Sequence, residues 1–300
     1  MKGVSTMKKL LALLLALSLL ALLPGCTQPA EPEVKYFPLE VTHEMAPDYV
    51  LKYVYHYNED WIQTGMTTYL NGELNQEVTY ELDLENNQIL KSIATAPDGA
   101  TAEIEYRHTY DKNGNVLLTE QYAEGILALS TEYTYDSQGN RITHTQKNPS
   151  NGITTILTYD ADGNILTNES IIEAVGERPA SRAWMENTYD KNGNLIQSVN
   201  YYNNGEAHKT SVMEYDSQGR KIRETTTDTY EGVERLDSVR EYTYDGKTEI
   251  ELVYDANGNL QITGTRTYDN AGNLLSSESV SEYSTQRSTY TYQKVEIPAK

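Results

Sequence analysis

Three hundred residues suffice for one large domain or two ordinary ones, but 25 Tyr against one Phe and two Trp are not the recipe of an ordinary packed core. The formal charge is -20, and without Lys2, Lys8 and Lys9 of the leader 21 basic residues face 44 acidic ones, a field that disfavours nucleic-acid backbones and electrostatic attachment to anionic lipid. A single Cys, Cys26, excludes an internal disulfide framework and a thiolate metal cluster.

Residues 1–25 read as a lipoprotein signal peptide. Lys8 and Lys9 precede a 14-residue run of Leu, Ala and one Ser at 10–23, too short to span a bilayer and suited to a secretory leader. The stretch Leu23-Pro24-Gly25-Cys26 resembles a bacterial lipobox, although Pro24 departs from the usual small or aliphatic residue. That resemblance implies cleavage before Cys26, diacylation of its sulfur and a place in the cell envelope outside the cytoplasmic membrane. Residues 26–35, polar with two prolines after the Cys, read as the lipidated residue and its tether.

Residues 36–103 alternate apolar and polar side chains with period two, as in LKYVYHYN at 51–58, between turns at Asn71-Gly72, Asn86-Asn87 and Asp98-Gly99. They are expected to form an N-terminal cap of degenerate β-repeats. From residue 104 to 300 a β-domain follows in which one heptapeptide recurs: TYDKNGN (109–115), TYDSQGN (134–140), TYDADGN (158–164), TYDKNGN (188–194), EYDSQGR (214–220), VYDANGN (253–259) and TYDNAGN (267–273), with a truncated TYDGK at 243–247.

Each copy has the chemistry of a hairpin turn. Its Asp (Asp111, Asp136, Asp160, Asp190, Asp216, Asp255, Asp269) opens the turn and offers carboxylate oxygens to backbone N–H groups two residues on. Its Gly (Gly114, Gly139, Gly163, Gly193, Gly219, Gly258, Gly272) takes the left-handed conformation of a bulge. Looser turns lie between the copies, as at residues 123–125, 148–152, 175–179, 203–205 and 231–232, so each repeat contributes two strands. No segment of the mature chain carries capped 3.6-residue periodicity. The expected fold is therefore all-β, an antiparallel meander curled or wound into an elongated spiral sheet. Residues 36–58 and 287–297 are expected to cap its edges. Tyrosine fills the apolar face while keeping its hydroxyl wet at the rim.

These residues resemble the YD repeats of Rhs, wall-associated and teneurin proteins, whose pattern Y-x-Y-D-x-x-G-R/N-L is matched by residues 133–140. The resemblance covers roughly 104–275 and implies an exported β-scaffold often associated with carbohydrate or cell contact. The chain is too short for the shell and cleavage core of the family's toxins.

Catalytic signatures are lacking: the five His are scattered, and neither H-E-x-x-H nor G-x-S-x-G occurs. Calcium at Asp160-Ala161-Asp162-Gly163-Asn164 is weighed against plain turn geometry, which alone explains Asp and Gly there. The expectation is a non-catalytic scaffold with no cofactor and no metal, attached to a membrane by its lipid and binding carbohydrate or protein through exposed rings among Trp61, Trp184, Tyr201 and Tyr202. An exported enzyme acting on envelope polysaccharide and a purely structural spacer are the alternatives.

Overall fold

A computed structural model describes residues 33–174 and 179–297. The leader, Cys26 and most of the tether lie outside these residues, as does most of the turn at 175–179. The first strand begins at Glu33, inside the expected tether. β1 (Glu33–Ala46), β2 (Tyr49–Tyr57), β3 (Gln63–Leu70), β4 (Glu73–Asp83) and β5 (Gln88–Thr95) precede the first motif. The motif hairpins build β6 (Thr101–Tyr110), β7 (Val116–Ala123), β8 (Ile126–Tyr135), β9 (Arg141–Asn148), β10 (Ile153–Tyr159), β11 (Ile165–Ile172), β12 (Ser181–Tyr189), β13 (Leu195–Tyr201) and β14 (Ala207–Tyr215). The wall is completed by β15 (Lys221–Tyr230), β16 (Val233–Asp245), β17 (Thr248–Asp255), β18 (Leu260–Tyr268), β19 (Leu274–Ser281) and β20 (Thr285–Ile297).

Every strand pairs antiparallel with its predecessor, and β20 pairs with β1 from Glu33↔Ile297 to Glu44↔Arg287. The meander is thus a closed 20-stranded barrel, and the expected spiral is corrected. The two terminal segments cover no other edge; they satisfy each other's backbone groups, which removes the sheet edge altogether.

Because strands alternate in direction, turns segregate to two rims. Six of the seven motif turns, together with Glu33 and Ile297, lie at one end, here called the motif rim. The copy at 253–259 joins β17 to β18 and so falls at the far rim. In β6, Ile104 and Tyr106 point inward and are buried while Glu103, Glu105 and Arg107 are exposed. Between β4 and β6 the inner face is apolar, with Val78, Ala94, Ile104 and Tyr106 packed against Tyr80 and Ile89. Burial pushes the Tyr106 hydroxyl up to about 12. The outer face carries ion pairs such as Lys91–Glu103 (3.0 Å) and Lys147–Glu132 (2.8 Å), the reverse of a lipid-facing barrel wall.

The motif turn is a closed hydrogen-bonded unit. Asp111 Oδ1 accepts from the N–H groups of Asn113 (2.8 Å) and Asn115 (2.9 Å), and Oδ2 accepts from Asn115 Nδ2 (2.9 Å). Gly114 donates to the Asp111 carbonyl with its φ at 87°. The same arrangement recurs at Asp136, Asp160, Asp190, Asp255 and Asp269, while at Asp216 the side-chain donor is Arg220. Where the turn meets the strand, the ladder slips by one residue. The residue left without a partner is Leu117, Ile142, Leu166, Ile196, Ile222 or Leu275 in the six motif hairpins of this rim, Leu90 between β4 and β5, and Thr64 between β2 and β3.

The slip frees a carbonyl, and the next motif's tyrosine takes it. Tyr135, Tyr189, Tyr215 and Tyr244 donate their hydroxyls at 2.8–2.9 Å to the carbonyls of Val116, Ile165, Leu195 and Lys221. These hydroxyls are therefore not wet, as composition suggested, but tie each hairpin to the one before it.

All seven motif carboxyls are held below the ordinary Asp range by the bonds they accept, chiefly from the Asn at the turn's end, or from Arg220 in the Asp216 copy. Their folded values lie under the unfolded value of about 3.9, so their contribution to stability is intact above that pH and is lost as pH falls through the folded values. His43 and His144 are held low by burial, with Arg141 adding to the effect at His144; this produces an earlier loss starting near pH 6.5, where the unfolded His takes up protons. Denaturant midpoints measured from pH 7 to pH 2.5 are expected to fall slightly by pH 5 and steeply below pH 4. A flat profile below pH 4 would contradict the turn network.

Candidate functional site

Two groups of side chains stand out, one on each face of the wall. On the outer face near the far rim, Trp184 of β12 lies directly opposite Tyr201 of β13. Their rings stack at 5.0 Å with planes 11° apart. Adjacent strands bring direct partners this close on one face, and two aromatics there gain more than their buried area alone. The Arg182 guanidinium lies 4.3 Å from the Trp184 ring centre and pairs with Glu169. Glu186 accepts from Tyr201 Oη (3.0 Å) and Trp184 Nε1 (3.3 Å), fixing both rings. On its other side Tyr201 is paired with Ala207, whose methyl group covers little of the ring.

Tyr202 sits in the adjoining turn, exposed and stacked on His208 at 4.3 Å. Trp184, Tyr201 and Tyr202 therefore form one neighbourhood. Trp61 does not join them. It lies in the turn between β2 and β3 at the motif rim, with a left-handed backbone (φ 59°), packed on Phe37 (5.1 Å) and Tyr57 (5.7 Å).

On the inner face, β14 to β18 replace the apolar lining by charge. Lys209 pairs with Asp237 (3.1 Å) and Asp228 (3.4 Å). Glu251 accepts from Arg240 Nη1 (3.0 Å), Tyr242 Oη (3.1 Å) and Arg266 Nη2 (3.3 Å), and Arg266 also reaches Glu249. Burial alone would raise the Glu251 carboxyl, but the Arg240 and Tyr242 hydrogen bonds and the Arg266 charge outweigh it and leave the group below its ordinary value. Gly264 lies opposite Glu251, and a Cβ there would come within 3.2 Å of Oε2, so the glycine makes room for this carboxylate. The arginine side chains keep about two fifths of their exposure, so water reaches this arc of the lumen. A ring of twenty strands is wide enough to enclose such an aqueous interior. A shallow depression of about 210 Å³ opens beside the arc at the motif rim, lined by Tyr244, Lys247, Glu249 and Tyr268.

The sequence signals missed this network because its partners lie 9–28 residues apart on different strands and only the ladder aligns them. Period-two phasing of Arg240, Tyr242, Glu249 and Glu251 on one face was the available cue. Among the described residues no group of three or more His, Cys, Asp or Glu is placed to hold a metal. In the Asp160 turn, both carboxylate oxygens already accept N–H groups.

These features define a class: a closed antiparallel β-barrel of turn-punctuated hairpin repeats with an aqueous, partly charged interior. The chain matches no protein-family model and no curated protein. Among solved structures it is similar to the Photorhabdus luminescens Tc holotoxin pore (12% identity, TM-score 0.30, 79% of this chain and 15% of that one) and to a TcdB2–TccC3 complex (11%, 0.29, 79% and 16%). It is also similar to a porin-like protein of Bacteroides uniformis (13%, 0.40, 86% and 96%). The chain thus spans about a sixth of the two toxin chains. At these identities and TM-scores neither activity nor partner transfers.

Proposed function

We propose that this protein is an exported, lipid-anchored and non-catalytic β-scaffold of YD type that binds carbohydrate at the cell surface. The observation that supports this reading is the outward stack of Trp184 and Tyr201, flanked by Glu186, Arg182 and Asn203. Flat rings bordered by a carboxylate, a guanidinium and an amide suit the apolar faces and hydroxyl rims of a sugar. Asn203 Oδ1 accepts the Arg182 backbone N–H (3.0 Å), holding the turn against β12. On the inner face, the depressed Glu251 carboxyl is shifted in the wrong direction for a general acid at neutral pH.

The test is binding to a panel of envelope and host polysaccharides while the same mixtures are assayed for new reducing ends. Saturable binding without cleavage is expected, and Trp184→Ala is expected to weaken it about tenfold or more, roughly 1.4 kcal/mol. New reducing ends would favour the enzyme, and absence of both would favour a protein partner or a spacer.

A further inference from the structure

The lumen wall is divided by charge. Following the paired registers round from β6, His108, Thr119, Thr131 and Gln146 face one another across β6 to β9 and fix which side chains point inward. On the inward side of β5 to β13 the strands carry no Asp or Glu, in a chain that holds 44, and Arg141 is the one Lys or Arg there. In the arc from β14 to β18, by contrast, Lys209 meets Asp237 (3.1 Å), Lys221 meets Glu224 (2.8 Å), and Arg240 and Arg266 meet Glu251 (3.0 and 3.3 Å). Among the described residues Arg141 has no carboxylate partner; its guanidinium lies 4.6 Å from the ring centre of Tyr159 and 5.9 Å from that of Tyr133.

The repeat itself supplies a comparison. Arg141 and Lys221 each follow a motif directly, each lie opposite that motif's tyrosine (Tyr135 or Tyr215), and each precede the residue left over at the slip. Three residues on, on the same face, Lys221 finds Glu224, whereas Arg141 finds His144. The His144 ring packs on Tyr133 (5.2 Å), and its Nε2, like Arg141 Nε, is buried without a hydrogen-bond partner. The other such atoms among the described residues, Tyr110 Oη, and Asn187 Oδ1, belong to the same inward stretch of wall. Buried polar atoms and a half-buried charge left unmatched are costly. The carboxylates of the adjoining turns, Asp136 and Asp160, spend both oxygens on N–H groups of their own turns. The place that Glu224 takes beside Lys221 is therefore the place a ligand carboxylate would take beside Arg141.

We propose that Arg141 and His144 form a luminal site for the carboxylate of an acidic sugar, a hexuronate, separate from the outer ring stack and independent of the reading given to that stack. The planar guanidinium matches a carboxylate through two parallel N–H bonds, and His144 in its Nε2–H tautomer donates another. Burial and the Arg141 charge hold the imidazole below its usual value, so at neutral pH the site carries one positive charge, suited to a monoanion rather than to a dianionic phosphate. Tyr133 offers a ring to the sugar's apolar face, and the inward Gln146, Thr155 and Asn168 of the adjoining wall offer amide and hydroxyl groups to its hydroxyls.

Isothermal titration of the full chain at neutral pH with sodium glucuronate reads the site, with methyl glucoside, acetate and inorganic phosphate as the other probes. Expected is saturable one-to-one binding of glucuronate, about tenfold or more tighter than that of the other three. Arg141→Gln is expected to weaken glucuronate binding about tenfold or more. His144→Glu is expected to do the same while leaving the melting temperature unchanged or raised, because it copies the pairing of Lys221 with Glu224. Its retained fold keeps the test decisive should Arg141→Gln unfold.

Glucuronate binding that survives both substitutions, or no binding by the parent chain, would overturn the proposal. Acetate or phosphate bound as tightly as glucuronate would reduce the site to a general anion pocket and overturn the assignment to a sugar. Loss of glucuronate binding on Trp184→Ala, with Arg141→Gln binding as the parent does, would place the acidic sugar on the outer stack. That result would overturn the luminal site and leave the surface reading standing.

Discussion

A chain ending at Tyr283, which lacks β20, is expected to lose far more than one strand's worth of stability. In a spiral sheet, removing the last strand leaves the remaining repeats resting on the same neighbours as before, and only a terminal increment is lost. In the barrel, β20 is paired on both sides, with β19 from Ser276↔Thr289 to Val280↔Thr285 and with β1 along almost its whole length. Its removal exposes two long edges at once. It also strips His43 of its Ser288 hydrogen bond (2.8 Å) and of its edge contact with Tyr290. The truncated chain is expected to unfold roughly 10 °C or more lower than the full chain, or to aggregate through its open edges. Calorimetry with sedimentation analysis reads both, and a loss of only a degree or two would argue against ring closure.

The second large effect is expected at Gly65, a residue that no repeat motif marks. In β3 it faces Thr79 of β4, and a Cβ built on it would lie 2.3 Å from the Val78 carbonyl oxygen, with Val78 C and Thr79 Cα at 3.4 Å. The obstacle is backbone, so relief requires β3 and β4 to separate where Met66, Thr67 and Thr68 are all buried. Gly65→Ala is expected to cost more than about 2 kcal/mol in denaturant titrations. The motif glycines differ in mechanism. Gly114 has open space around its Cβ position, so Gly114→Val meets only backbone strain at φ 87°, expected at a little over about 1 kcal/mol. If the ranking of Gly65 and Gly114 were reversed, close strand approach would not be the reason for Gly65.

Local chemistry made the hairpins legible. Asp and Gly at fixed spacing, flanked by period-two alternation, specify a turn and two strands without reference to the rest of the chain. Closure was not legible because it depends on strand tilt and accumulated register, which no single hairpin encodes. The role of the motif tyrosine was missed for a related reason. Its hydroxyl serves a carbonyl 19–24 residues earlier, freed by a bulge that only the paired ladder reveals. At the candidate site, ring chemistry picked out Trp184, Tyr201 and Tyr202, and the strand register united them. Trp61 was grouped with them on residue type alone, yet the alternation of strand direction places it at the opposite end.

The even number of strands has a consequence of its own. Around an all-antiparallel ring, directions must alternate without a mismatch at the seam, so an odd count would force one parallel pair between the first strand and the last. The wall can therefore gain or lose material only in steps of two strands, the content of one repeat. Parity also returns the chain to its starting rim, with Glu33 beside Ile297. Topologically the molecule is a necklace whose clasp is chemically like any other link. A permuted chain, opened at a far-rim hairpin such as Glu231-Gly232 and joined across the old ends, would trace the same ring in the same order.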